Sequence, residues 1–315
     1  MQQIEFRAMG SAILITLDTD DARAADALAQ TPTWFAEWEA RLSRFRAESE
    51  LSALNRASGE PVRVSATLGQ AIQTALDAAR ASDGLITPTL LDALQAAGYD
   101  RSFEQIGGAP VSPTRTPAVV ADWRAIEWNA ATHTLRVPRG VHLDLGGVAK
   151  GWAAEQAAHR LVAIAPVMVD AGGDLAITGA RANGEPWPIA VLDPLQPAND
   201  LALLMIERGG VATSGRDYRR WERNGKAQHH IIDPRTGAPA ETDVLSATVI
   251  APTTPQAEVA AKVAFILGSR AGSAWLRARR YAGLLVLENG RTAHTPEFEN
   301  FLWRAPNSNL VGVTQ

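Results

Sequence analysis

The second half of this chain lays down short apolar strands in succession with few helices between them, and that pattern favours an α+β fold over a doubly wound sheet. Strand-type segments occur at 141–143, 167–169, 188–192, 202–208 and 246–251, while helical periodicity appears only near 148–162 and 256–267. A doubly wound parallel sheet needs regular alternation of strand and helix, and a solenoid needs a repeat; neither is present. The pattern predicts an α+β fold. In the first half, SAILITL (11–17) reads as a strand. A helix is expected over about 21–45, with Trp34, Trp38 and Leu42 forming a core stripe at four-residue spacing. Ser65 is the expected N-cap of a further helix that stops at Gly84. Residues 107–138, rich in Pro, Thr and Trp, read as a β-rich connection. At 46% hydrophobic and 20% charged, the 315 residues can bury a large core, so disorder is excluded and one two-lobed unit over 1–315 is expected.

Composition also limits the chemistry. There is no cysteine, which excludes disulfides, thiolate catalysis and cysteine-ligated metals. A formal net charge of −4 gives no electrostatic reason to expect nucleic acid. Glu5 and Arg7 interrupt the stretch where a signal peptide would be apolar, and the longest apolar run, 161–169, contains Pro166 and is too short to span a bilayer. The expectation is a cytoplasmic protein without membrane insertion.

Four motifs carry polar chemistry. LDLGGVAKGWAAEQ (143–156) joins a Gly pair to a helix start bearing Lys150, a combination that favours an anion, although it is not a Walker A loop. VDAGGDLAITG (169–179) reads as a tight hairpin followed by Asp174. In VATSGRDYRRW (211–221) and just beyond it, Arg216, Arg219, Arg220 and Arg223 read as a solvated face. QHHIIDPRTGAP (228–239) contains an Asp-Pro and a Thr-Gly that force a turn but do not account for His229 and His230. Neither histidine has zinc-site spacing. A histidine can serve as acid or base near neutral pH, yet spacing alone favours a structural role. Together the motifs favour a large phosphorylated ligand.

Taken in order, AMGS (8–11), LSRFRAESELSALNR (42–56), SDGLITPTL (82–90), DLGGVAKGWAAE, DAGGDL, ATSG, HHIIDPRTG and SATVIAP…AEVAAKVAFILG (246–268) resemble the FAD:protein FMN transferases, the ApbE-like flavinyl transferases. The similarity runs from about Met9 to Gly268. It implies a T-fold-related, two-lobed α+β unit with mixed or antiparallel sheets and flanking helices. The implied reaction moves FMN from FAD onto a Thr or Ser hydroxyl of a target protein, leaving a phosphoester and releasing AMP. Hydrolysis of FAD to FMN and AMP, or FAD binding without turnover, are the alternative outcomes. By resemblance, Met9, Phe45, Leu85, Ile86, Thr87, Asp144, Lys150, Ile231 and Ile232 would contact FAD, and His230 would carry transfer while His229 packs. The Gly147 carbonyl and Glu258 would face magnesium. Two departures stand out. Ile86-Thr87-Pro88-Thr89 lacks the carboxylate of the usual Phe-Asp-Pro-Thr. The late helix has Glu258 and Lys262 where the family has an aspartate and a threonine, both metal ligands. A helical Glu–Lys pair four residues apart reads either as a surface ion pair or as an ammonium standing in for the metal.

Overall fold

The structure is a computed structural model that describes residues 1–106, 118–216, 219–223 and 226–304. Its frame is an eight-stranded sheet of β1 (Gln2–Ala8), β2 (Ser11–Leu17), β3 (Val167–Ala171), β4 (Asp174–Ile177), β5 (Gly209–Gly215), β6 (Val244–Ala251), β7 (Ala282–Leu287) and β8 (Thr292–His294). The strands lie in that order across the sheet, and every pairing is antiparallel. All other described elements are insertions between these strands except a 3-10 helix, Pro296–Phe301, that follows the last of them.

Alternation along each strand gives the sheet two apolar faces. Ile13, Ile15, Val167, Val169, Ala247, Val249 and Leu285 point to one face. Helices α1 (Arg23–Leu42), α2 (Ala66–Ala81), α3 (Ala149–Leu161) and α4 (Thr254–Ala278) contribute to the core on that side. Ile177, Val211, Ile250 and Leu284 point to the other face, covered by the antiparallel pair Trp187–Leu192 and Asp200–Ile206. The Trp38 and Leu42 stripe is buried as expected, with Phe35 beside it. Ser65 caps α2 by accepting the Leu68 N–H at 3.2 Å. Among the described residues no helix is long and apolar enough to cross a membrane.

Several expected boundaries move, each for a local reason. Helix α1 stops at Leu42 rather than near 45, because Ser43 is extended (φ −79, ψ 124) and Arg44 turns away into an ion pair with Asp144. Residues 141–143 are not a strand. The Asn55 side chain takes both the N–H and the carbonyl of Leu143, at 2.7 and 2.9 Å, so no ladder forms there. The strand expected at 202–208 occupies Asp200–Ile206. The expected helix end at 267 coincides with a kink at Gly268 (φ 79, ψ 173), a conformation that favours glycine; a second helical stretch follows, with Asp243 accepting the Ser269 N–H at 2.8 Å. The β-rich connection supplies strands Glu127–Asn129 and Thr134–Arg136; residues 107–117 lie outside the described residues.

Candidate active site

A cleft of about 310 Å³ opens where the β1–β2 turn, the loop after α1, the start of α3 and the first half of α4 converge. That volume falls within the range of small-molecule sites. Met9, Phe45, Leu85, Ile86, Thr87, Asp144, Gly147, Lys150, His230, Ile231 and Ile232, the residues singled out by resemblance, all line it. They come from segments more than two hundred positions apart, so their convergence is a product of the fold. Glu258 does not line the cleft but lies directly behind it, fully buried.

Each wall has a local cause. Met9 (φ 52) and Gly10 (φ 67) form the two-residue turn between β1 and β2, with the positive-φ geometry that matches strand twist. The Met9 N–H donates to Glu39 Oε2 at 2.7 Å, and Arg219 Nη2 donates to the Gly10 carbonyl at 3.1 Å. Arg219 therefore belongs to the cleft and not to the solvated face expected of it. Arg216 pairs with Glu288, while the Arg223 side chain lies outside the described residues. Across the cleft, Arg44 Nε meets Asp144 Oδ2 at 2.7 Å, and the Arg44 guanidinium lies 4.1 Å from the Phe45 ring centroid and 4.6 Å from that of Tyr99. Arg44 is 5% exposed at its side chain and its buried Nη2 has no partner, while Phe45 is 44% exposed and offers a ring to the opening.

The charged floor is made by α3 and α4. Lys150, in the first turn of α3, pairs with Asp174 at the start of β4. One turn apart on α4, Lys262 Nζ donates to Glu258 Oε1 at 2.8 Å. The other carboxylate oxygen, Oε2, accepts the Gly151 N–H at 3.1 Å. The approach needs glycine, because a Cβ at 151 would come within 2.6 Å of Glu258 Oε2. Burial raises the Glu258 carboxyl above its ordinary value against the pull of Lys262 and Lys150. Both of its neighbours are nonetheless donors, the environment of an ionised carboxylate. Burial alone would lower the Lys150 ammonium; Asp174 and Glu258 outweigh it and hold Lys150 above its usual value. The Glu258–Lys262 pair is thus an interior pair, and its surface reading is corrected.

The two histidines separate cleanly. His229 Nε2 donates to the Ala240 carbonyl at 3.0 Å, its Nδ1 accepts the Ile231 N–H at 3.3 Å, and its ring meets Phe265 edge-on. This satisfied neutral imidazole has its pKa lowered to about 4, chiefly by burial. His230 lines the cleft, and its Nδ1 is buried without a hydrogen-bond partner. Burial first, then the charges of Arg219 and Lys262, push its pKa well below the ordinary histidine value. The turn after it is structural: Asp233 accepts the Arg235 N–H at 2.9 Å and pairs with its guanidinium.

Magnesium, implied by the resemblance, requires converging hard-oxygen donors. Among the described residues no three Asp, Glu or His side chains converge to hold a metal. Both Glu258 oxygens already accept hydrogen bonds, and Lys262 carries an ammonium where an oxygen ligand would be needed. The residues present do not fit a divalent cation. Arg44, Tyr99, Asp174, Arg219 and Glu39 were not anticipated as site residues. Asp174 and Arg219 stood inside recognised motifs and Arg44 beside Phe45, whereas Tyr99 had no signal.

Residues 9–285 match the model of the ApbE family. The FAD:protein FMN transferase of Treponema pallidum is 34% identical over 272 residues, covering 80% of this chain and 74% of that protein. The FAD:protein FMN transferase of Salmonella typhimurium is 28% identical, with 96% and 89% covered. Among solved structures, the ApbE protein from Thermotoga maritima superposes with a TM-score of 0.85 at 25% identity, covering 96% of this chain and 99% of that one.

Proposed function

The chain belongs to the ApbE family, and on that premise we propose that it moves FMN from FAD onto a threonine or serine hydroxyl of a second protein, releasing AMP. We take residues 1–315 as one catalytic unit, a reading supported by a cleft whose walls run from Met9 to Ile266. The observation that carries the proposal is His230: an imidazole kept neutral by its surroundings, with an unpartnered Nδ1, in a cleft floored by cations.

The chemistry follows from these groups. The acceptor hydroxyl oxygen bonds to the FMN-side phosphorus of FAD as the bond from that phosphorus to the AMP oxygen breaks. The hydroxyl proton passes to the His230 imidazole, and AMP leaves with the bridging oxygen. Phosphoryl transfer of this kind depends mostly on positioning and on neutralising charge. Lys150, Lys262 and Arg219 supply positive charge at the cleft, together with the amino-terminal end of α3. Burial is the first cause of the depressed His230 pKa and the charges of Arg219, Lys262 and Lys150 add to it; an incoming pyrophosphate neutralises that cationic share. The exposed ring of Phe45, held by Arg44 and tilted against Tyr99, supports a stacking contact for the flavin or adenine ring. Met9, Leu85, Ile86, Thr87, Ile231 and Ile232 complete the proposed FAD contacts.

The test is to incubate the protein with FAD and candidate acceptor proteins and to measure each acceptor's intact mass. A gain equal to one FMN on an acceptor hydroxyl is expected; no mass gain on any acceptor, with FAD unchanged, contradicts the proposal.

A further inference from the structure

We infer that this cleft binds the pyrophosphate of its dinucleotide with the ammonium groups of Lys150 and Lys262 and dispenses with a divalent cation. The inference rests on the proposed function for the identity of the ligand, but its geometry is independent of it. Both lysines line the cleft, with their side chains only 17% and 13% exposed. Behind each stands a carboxylate withdrawn from solvent, Asp174 for Lys150 and Glu258 for Lys262. Two cations are thereby presented from the protein side of the cleft, each anchored by a counter-ion that a ligand cannot reach.

The same arrangement leaves little for a metal ion. Glu258 gives one oxygen to Lys262 and the other to the Gly151 N–H. Asp144, the other carboxylate of this wall, gives one oxygen to Arg44 and the other to the Gly146 N–H at 2.8 Å. A divalent cation entering here would meet Lys150, Lys262 and Arg219, and at Glu258 and Asp144 it would have to displace a donor for every oxygen it gained. A pyrophosphate dianion meets the opposite balance: three cationic side chains and the first turn of α3. Glu258 acts as a positioning residue, since its second hydrogen bond locks it to the backbone of α3 and so fixes Lys262 relative to Lys150. The missing Cβ of Gly151 is what allows that contact.

The experiment measures FAD and riboflavin affinity by calorimetry, in EDTA and in excess magnesium. Three proteins are compared: wild type, Lys262→Met and Glu258→Asp/Lys262→Thr. Riboflavin lacks the pyrophosphate and reports whether the ring site is intact. Wild type is expected to bind FAD equally in EDTA and magnesium, within about twofold. Lys262→Met should lose about 10- to 100-fold in FAD affinity, the worth of a charge-assisted hydrogen bond, with riboflavin unchanged. In the double variant, a carboxylate and a hydroxyl freed from the ammonium become hard-oxygen ligands, so FAD binding should weaken in EDTA and recover with magnesium. A tenfold or greater loss of wild-type FAD affinity in EDTA overturns the inference without any variant having to fold. So does a Lys262→Met protein that binds FAD as wild type does. If wild type binds neither FAD nor riboflavin, the functional proposal itself falls, a result distinct from metal dependence.

Discussion

Replacing Glu258 with methionine keeps the side-chain length but leaves the Lys262 ammonium unpaired and the Gly151 N–H without an acceptor. Removing one partner of a buried ion pair costs about 3–5 kcal/mol. Lys262 keeps 13% exposure and can turn toward the cleft, so the lower end, about 3 kcal/mol, is expected. Lys262→Met strands the carboxylate instead. Glu258 has no exposure and no such outlet, so that variant should cost as much or more. The double variant Glu258→Met/Lys262→Met removes both charges and fills the space with apolar atoms; exchanges of that kind are often close to neutral. Its destabilisation should therefore fall well below the sum of the single effects, with a coupling of about 2 kcal/mol or more. Urea unfolding of the four proteins, at one pH and with slopes compared, measures the cycle. Strictly additive single effects, or a Glu258→Met cost below about 1 kcal/mol, the range of exposed pairs, would refute the interior-pair reasoning.

Other consequences are more local. His230→Ala should lower the transfer rate by at least about 100-fold while FAD affinity stays near wild type, because a proton acceptor acts on the attacking hydroxyl; a more severe effect from His229→Ala on transfer would contradict the assignment. The folded-state pKa of His229, about 4, lies below the ordinary 6.5 of the unfolded chain. Between those values the unfolded chain takes up the proton first, so stability falls as pH drops through this window, by about 3 kcal/mol when complete. Unfolding free energies at neutral pH and near pH 4 should converge between wild type and His229→Gln by that amount; an unchanged gap contradicts it. Gly151→Ala puts a methyl 2.6 Å from Glu258 Oε2 and should destabilise by about 1–3 kcal/mol, measured as a lowered Tm; a Tm equal to wild type would show that α3 can move away.

Which features the sequence disclosed follows from the range of each interaction. The α+β class and the frame strands near 11–17, 167–169 and 246–251 were legible from local patterning, and the turn after His230 was legible from Asp-Pro and Thr-Gly, because these depend on neighbouring residues. The remaining frame strands and their antiparallel order are set by long-range pairing. The separation of His229 from His230 was not visible in spacing. It arises because the Ala240 carbonyl and the Ile231 N–H satisfy one ring and leave Nδ1 of the other bare. Arg44 and Asp144 are a hundred positions apart, and Lys150 and Asp174 belong to different elements; only the fold pairs them. The Arg44–Asp144 pair also explains the early end of α1, and the hydrogen bond from Arg219 to the distant Gly10 carbonyl explains the inclusion of Arg219 in the cleft. The helical spacing of Glu258 and Lys262 gave their contact correctly, but not its burial beneath α3.

The most direct measurement quantifies AMP and protein-bound FMN in the same reaction of this protein with FAD and an acceptor protein. Equal amounts of the two, appearing together in wild type and absent in His230→Ala, are the predicted result. AMP accompanied only by free FMN, or coupled products that persist in His230→Ala, would contradict transfer carried by this histidine.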